Sequence, residues 1–307
     1  MEYDLIVIGA GPAGISASLY AVSRGLRVLV LEKESVGGII GKVSTVTHYP
    51  AILPDETGAT FAARLERQAL TAGVSIRFEA VRCVKLTGAR KTVQTAGQTY
   101  EAAAVILANG STPNRLGIPG EKELAGKGIG LNAAKDGKRY EGRDIYVVGG
   151  ADGAIKEALF LARFAKKLTV IHFEDKLGAI PEFTDKLARL ANVEVRLHTR
   201  LTAVMGDARV EKLELTDEAA GRKESVEDDG CGIFVYAGST PNTGLYPELE
   251  LQGGYIPVSE KMETRLPGVY AAGDIRVKQV RQAATAVADG AVAGINAAAY
   301  VKSLPSA

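Results

Sequence analysis

At 307 residues the chain exceeds the comfortable reach of one hydrophobic core, and two domains are expected. Its 46% apolar and 24% charged residues are ordinary for a globular protein, and a net charge of +1 gives no reason to expect nucleic acid or an anionic membrane surface as partner. Two cysteines far apart in sequence, Cys83 and Cys231, argue against a disulfide scaffold and fit a reducing, cytoplasmic setting.

The first residues lead straight into an apolar strand, so no signal peptide is expected. No apolar run approaches the roughly 20 residues of a membrane span without glycine or charge breaking it, so no membrane partner is expected. Residues 1–33 read as strand, glycine turn, helix (ISASLYAVSRG) and strand, followed by a glycine-rich loop with a hydrophobic end over 36–53. TGATFAARLERQALTAGV has amphipathic helical spacing and a glycine stop, and SIRFEAVRCVKLT, KTVQTA and QTYEAAAVILANG read as strands. A loop over 111–128 leads to a second strand, glycine turn, helix (AIKEALFLARFA) and strand (LTVIHF). EVRLHTRLTAVMG, ARVEKLELTDE and ESVEDDGCGIFVYAG read as further strands whose charges mark solvated faces and turns. Beyond METRLPGVYAAGDIRV the chain ends in an alanine-rich helix, QAATAVADGAVAGINAAAYV. Both cysteines fall in strand segments and read as buried small hydrophobes.

One unit is written twice, 140 residues apart: DLIVIGAGPAG at residues 4–14 aligns without a gap on DIYVVGGADGA at 144–154. In the first copy Gly9 allows the tight turn, Gly11 lets backbone approach a pyrophosphate, and Gly14 lets helix pack closely on strand. Glu32 ends the next strand, where a carboxylate would accept from a ribose diol. In the second copy Gly149 and Gly150 keep the turn and Ala154 takes the place of Gly14, but Ala151 stands where Gly11 was and His172 where Glu32 was. The order predicts an α/β protein of two Rossmann-like dinucleotide-binding domains with parallel sheets in three layers, the second inserted in the first. The outer domain would comprise 1–115 and 246–307 and the inner one 116–245, with the two crossings as a hinge.

The glycine turn with Glu32, the segment 107–110 (LANG), the segment 268–274 (GVYAAGD) and Arg281-Gln282-Ala283, in that order, resemble the low-molecular-weight thioredoxin reductases over essentially the whole chain. That resemblance implies FAD in the outer domain, its pyrophosphate on Gly9, Gly11, Pro12, Ala13 and Gly14 at a helix start, where free N–H groups favour negative charge. It further implies Glu32 and Lys33 at the adenosine ribose, and Gly38, Ile39 and His48 closing over the flavin. Val81, Ala108, Asn109 and Gly110 would add to the FAD site, Gly273 and Asp274 would meet a ribityl hydroxyl, and Arg281, Gln282 and Ala283 would lie along the isoalloxazine. A homodimer is expected on the same ground.

Two departures from the family pattern stand out. Where that pattern has Cys-x-x-Cys-Asp-Gly, this chain has Asn132-Ala133-Ala134-Lys135-Asp136-Gly137, so no thiolate is available there for disulfide exchange. Lys135 and His48 are candidate flavin neighbours, although a lysine there more commonly marks an exposed helix start and His48 could equally be a wall residue. Where NADPH-using members carry His-Arg-Arg, this chain has His172, Phe173 and Glu174, and Glu174 would repel a 2′-phosphate. Glu174 could instead accept from the 2′-hydroxyl of NADH, with Gly149, Gly150, Ala151, Asp152, Gly153, Ala154 and Gly238 around the dinucleotide. Alternatively the site has decayed, since Ala151 adds a methyl and Asp152 a carboxylate where an anion should sit. No metal site is expected from His48, His172 and His198. The reading is an FAD-dependent oxidoreductase passing electrons from NADH directly to an acceptor, either a small redox protein of ferredoxin type or a small molecule. Its alternatives are a flavoprotein reduced by ferredoxin without nicotinamide, and a non-catalytic FAD-binding regulator.

Overall fold

The computed structural model describes residues 3–305. It divides into two units, one formed by the described parts of Met1–Thr112 and Thr240–Ala307 and the other by Pro113–Ser239. These edges lie a few residues before the expected 116 and 245. The crossings are the short strands β8 (Ser111–Pro113) and β16 (Ser239–Pro241), which pair as a two-stranded ribbon. The residues just after β16 join the first unit because Asn242 and Asn109 exchange hydrogen bonds, each side-chain amide donating to the other's main-chain carbonyl at 2.9 and 2.7 Å.

In the first unit, β1 (Leu5–Ile8), α1 (Pro12–Val22), β2 (Val28–Glu32), α2 (Gly58–Thr71) and β3 (Ser75–Phe78) open the fold. β4 (Cys83–Lys85), β5 (Lys91–Gln94) and β6 (Thr99–Ala102) form an antiparallel sheet, and β7 (Ala104–Leu107) returns to the main one. The segments 75–87, 98–110, 194–206 and 224–238, each expected as a single strand, are broken in two because their halves serve different sheets. Cys83 is consequently exposed on an outer strand, contrary to the expectation of burial, while Cys231 is buried; both are free thiols.

In the second unit come α3 (Ala133–Asp136), β9 (Ile145–Val148), α4 (Asp152–Leu161), β10 (Leu168–Ile171), α5 (Pro181–Ala188) and β11 (Val193–Arg196). The antiparallel β12 (Thr199–Met205), β13 (Lys212–Asp217) and β14 (Arg222–Glu227) precede β15 (Gly232–Val235). The helix α5 was not foreseen from the sequence. The chain then re-enters the first unit with β17 (Val269–Ala271) and α6 (Ala283–Ser303).

Each unit is three-layered, and the period of two along each strand is the reason. The first sheet, all parallel, has the order β17-β7-β1-β2-β3. Leu5, Val7, Val28 and Val30 point to a core with α1 and α6, whereas Ile6, Ile8, Leu29 and Leu31 point to a second core with Val93 and Tyr100 of the antiparallel sheet. The second unit repeats this plan in the order β11-β10-β9-β15. There Ile145 and Val147 face α4 and α5, and Tyr146 and Ile233 face β12 and β13. The 21-residue α6 is long and apolar enough to cross a membrane by length and composition alone. Here one face lies in the core against α1: a Cβ on Gly290 or Gly294 would overlap the carbonyl oxygens of Ala13 or Ala17, so the two helices meet backbone to backbone.

Candidate functional site

The first glycine turn is built from two tight positions and one open one. Gly9 has φ +101°, and a Cβ on it would stand 2.5 Å from the Ala108 carbonyl oxygen. A Cβ on Gly14 would overlap the Gly9 carbonyl oxygen. At Gly11, by contrast, no atom lies within 4 Å of the Cβ position, and the backbone is an ordinary extended one (φ −69°, ψ 179°). Gly11 is the N-cap of α1 with no capping side chain, and Pro12 follows at the first helical position. Ala13 is buried behind it. An unshielded helix start with open space in front suits a diphosphate, whose charge meets free N–H groups and the positive end of the helix dipole.

Glu32 ends β2 with its carboxylate accepting from the Ala10 N–H at 2.9 Å and the Glu34 N–H at 3.0 Å, which aims it beside the turn. Lys33 is exposed, its Nζ 3.9 Å from Glu34. The Gly37 N–H donates to the Ala10 carbonyl at 2.9 Å and brings Gly38, at φ +58°, next to Gly11. Ile39 and His48 are exposed, His48 at φ +52° with Nδ1 3.4 Å from the Thr47 hydroxyl. Val81 packs on the core of the antiparallel face.

Ala108 is buried at the end of β7, and Gly110 has φ +57° with open space around it. The side chain of Asn109 is engaged within the protein: its amide donates to Asn242, and its Oδ1 accepts from the fully buried Tyr246 hydroxyl at 2.6 Å. Burial pushes the Tyr246 pKa up, so the hydroxyl stays a donor. Asn109 is thus a clamp holding the returning chain to the first half of its unit, a part the sequence did not reveal.

Gly273 (φ +82°) follows β17 and places Asp274 with a buried Oδ1 that has no hydrogen-bond partner. Burial pushes the Asp274 carboxyl above its usual range, although the Lys278 and Arg281 cations pull it back. The Arg281 guanidinium lies 4.1 Å from the centre of the Tyr255 ring, and its buried Nε is likewise without a partner. Gln282 is the N-cap of α6, its N–H donating to Thr285 Oγ1 at 3.2 Å, and Ala283 begins the helix. A buried carboxylate oxygen and a guanidinium nitrogen left without partners are unusual in a folded protein and fit polar groups of a bound molecule. With the open cradle at Gly11, the residues of this unit fit FAD.

The second turn keeps the backbone of the first. Gly149 has φ +136°, and its Cβ would stand 2.5 Å from the Tyr236 carbonyl oxygen, with buried Ala154 behind it. Ala151, the uncapped N-cap of α4, has φ −83° and ψ 172°, close to the angles of Gly11. Asp152 Oδ1 accepts the Ile180 N–H at 2.8 Å, and the Cβ position of Gly153 is open. Gly150 must be glycine because the buried His172 ring lies against it: a Cβ would come within 2.5 Å of the ring. His172 Nε2 is 3.1 Å from Glu174 Oε2, and its buried Nδ1 has no partner. Phe173, 45% exposed, lies under the Arg200 guanidinium at 4.2 Å, an arginine from β12 that the local sequence did not point to. Gly238, at φ +77°, accepts from the Asn114 N–H at 3.0 Å.

Asn132 and Lys135 form a helix start. Asn132 Oδ1 accepts the Lys135 N–H at 2.9 Å, while buried Asp136 accepts the Asn132 N–H at 3.0 Å. Lys135 is exposed. Among the described residues no group of three His, Cys, Asp or Glu is placed to hold a metal ion.

The pyridine nucleotide-disulphide oxidoreductase family model matches residues 3–290. The thioredoxin reductase of Peptoclostridium litorale is 38% identical over 308 residues, covering 98% of each chain. Among solved structures, Lactococcus lactis thioredoxin reductase in its FR conformation superposes with a TM-score of 0.94 at 29% identity, covering 99% of this chain and 100% of that one. A ferredoxin-flavin thioredoxin reductase from Clostridium acetobutylicum matches with a TM-score of 0.54 at 28% identity, over 99% of both chains. The chain therefore belongs to the pyridine nucleotide-disulphide oxidoreductases, as an FAD-dependent oxidoreductase of the low-molecular-weight thioredoxin reductase family.

Proposed function

We propose that this protein takes electrons from NADH and delivers them through FAD directly to an acceptor, with no internal redox disulfide. In the first unit Gly11 and the start of α1 would receive the FAD diphosphate, Glu32 the adenosine ribose, and Asp274 a ribityl hydroxyl. Arg281, Gln282 and Ala283 would border the flavin ring. Bound FAD supplies the two-electron chemistry, and the protein supplies position and electrostatics. In the second unit the start of α4 would receive the NADH diphosphate, and Glu174, held by His172, would accept from the adenosine 2′-hydroxyl while repelling a 2′-phosphate.

The observation that carries the nicotinamide half is the α4 start: Ala151 adopts the extended angles of Gly11 and leaves the helix N-terminus uncapped. Of the two residues that argued for decay, Ala151 and Asp152, the latter has its carboxylate engaged by the Ile180 N–H. The direct transfer rests on Asn132 and Lys135, which carry no sulfur and cap a helix turn instead. The acceptor would be a small redox protein or a small molecule.

Anaerobic titration of the holoprotein with NADH, then NADPH, then dithionite, read at the flavin absorbance band, tests this. Rapid bleaching by NADH and slow bleaching by NADPH are expected, and bleaching by dithionite alone removes the reading. A second reading, reduction by a ferredoxin-type protein, is favoured by the likeness to the clostridial ferredoxin-flavin enzyme. Bleaching by reduced ferredoxin but not by NADH would establish it, and bleaching by neither would leave a regulatory FAD protein.

A further inference from the structure

Asp289 is the only charged residue in the alanine-rich segment 282–301, and it is 5% exposed on α6. Four donor atoms converge on its carboxylate. Its Oδ1 accepts from Arg276 Nη2 at 2.6 Å. Its Oδ2 accepts from Arg276 Nε at 2.8 Å, Lys278 Nζ at 2.8 Å and the Gly273 N–H at 3.1 Å. Burial works against the charge on Asp289, but the bonds from Arg276 and Lys278 outweigh it and hold the carboxyl below its usual range. The Lys278 side chain is itself only 5% exposed.

Asp274 follows Gly273 directly and lies within electrostatic reach of Lys278, Arg281 and Asp289. The neighbourhood thus holds two carboxylates, Asp274 and Asp289, and three cations, Arg276, Lys278 and Arg281. Arg276 and Lys278 both bind Asp289, Arg281 lies over the Tyr255 ring, and Asp274 Oδ1 is left buried with no hydrogen-bond partner. A charge-assisted bond from a lysine is roughly twice as strong as one from a neutral hydroxyl, so a free Lys278 would displace a sugar hydroxyl from Asp274.

We propose that Asp289 is a positioning residue for the flavin site: by holding Lys278 and Arg276 and fixing the Gly273 N–H, it keeps the Asp274 carboxylate open for a hydroxyl of bound FAD. This rests on the reading that Asp274 meets FAD. Nothing in the chemistry of electron transfer requires Asp289, and it touches no reacting atom. Its effect is to decide which partner Asp274 takes.

The test is FAD affinity of the full chain, read by flavin fluorescence, in variants that separate lysine capture from general damage. Asp289→Asn should weaken FAD binding about tenfold or more, because Lys278 is released toward Asp274. The triple variant Arg276→Met, Lys278→Met, Asp289→Asn removes every member of the ion cluster and should bind within about threefold of the wild type, since buried ion pairs can be replaced by apolar groups without loss of fold. A triple variant as weak as Asp289→Asn, or an Asp289→Asn protein that binds like the wild type, overturns the proposal. If Asp289→Asn alone does not fold, the double variant Arg276→Met, Asp289→Asn is set against the triple. The two differ only at Lys278: weaker binding by the double supports lysine capture, and equal binding overturns it. Asp274→Asn in the wild-type background tests the underlying reading separately: a loss of FAD affinity supports it, and unchanged affinity overturns it whatever the Asp289 variants do.

Discussion

Replacing Gly11 with alanine separates the folding role of the first glycine turn from its binding role. The φ of −69° and ψ of 179° suit any L-residue, and the new methyl would find no atom within 4 Å. At an N-cap, alanine is less favourable than glycine by up to roughly 1 kcal/mol. The loss of unfolded-chain freedom gives back about 0.4–1 kcal/mol, so the net change in stability should stay within about 0.5 kcal/mol. The same methyl stands where a diphosphate would lie on the backbone. Losing one charge-assisted bond there is worth about 1.5–3 kcal/mol, or roughly 10- to 150-fold in FAD affinity. Urea unfolding of the FAD-free protein and fluorescence titration with FAD measure the two quantities. FAD binding within threefold of the wild type, or destabilisation beyond about 2 kcal/mol, would refute the reasoning. The result also bears on Ala151, which carries such a methyl at the matching place in the second unit.

Tyr246→Phe should destabilise the protein by about 1–3 kcal/mol, because the part-buried Asn109 Oδ1 loses its donor; urea unfolding measures it, and a neutral result would deny Asn109 its role as a clamp. Glu174→Arg should move the NADH to NADPH ratio of kcat/KM at least roughly tenfold toward NADPH, and an unchanged ratio would place Glu174 away from the ribose. Asp289 has a folded pKa below its ordinary value, so its contribution is present above the unfolded pKa of about 3.9 and is lost as pH falls through the folded value. Stability measured from about pH 5 down to pH 3 should therefore fall less steeply in Asp289→Asn than in the wild type, and equal slopes would contradict the assignment.

Much of this protein follows from short-range pattern. The apolar runs at residues 5–8 and 145–148 can only be buried strands, and the glycines after them are demanded by local backbone angles and by the closeness of strand and helix, which spacing reveals. The acidic Glu32 and the sulfur-free Asn132 and Lys135 were legible for the same reason, as residue types at fixed distances from those glycines. Tertiary structure alone decided which carboxylate receives the cations, since nothing in the spacing of Asp274, Arg276, Lys278 and Asp289 pairs them and only the fold brings the cations to Asp289. It likewise decided that Asn109 is a clamp, that Cys83 is exposed, and that four expected strands divide between layers. Periodicity and glycine angles are properties of a few adjacent residues, whereas hydrogen-bond partners more than a hundred positions apart exist only once the chain has returned on itself.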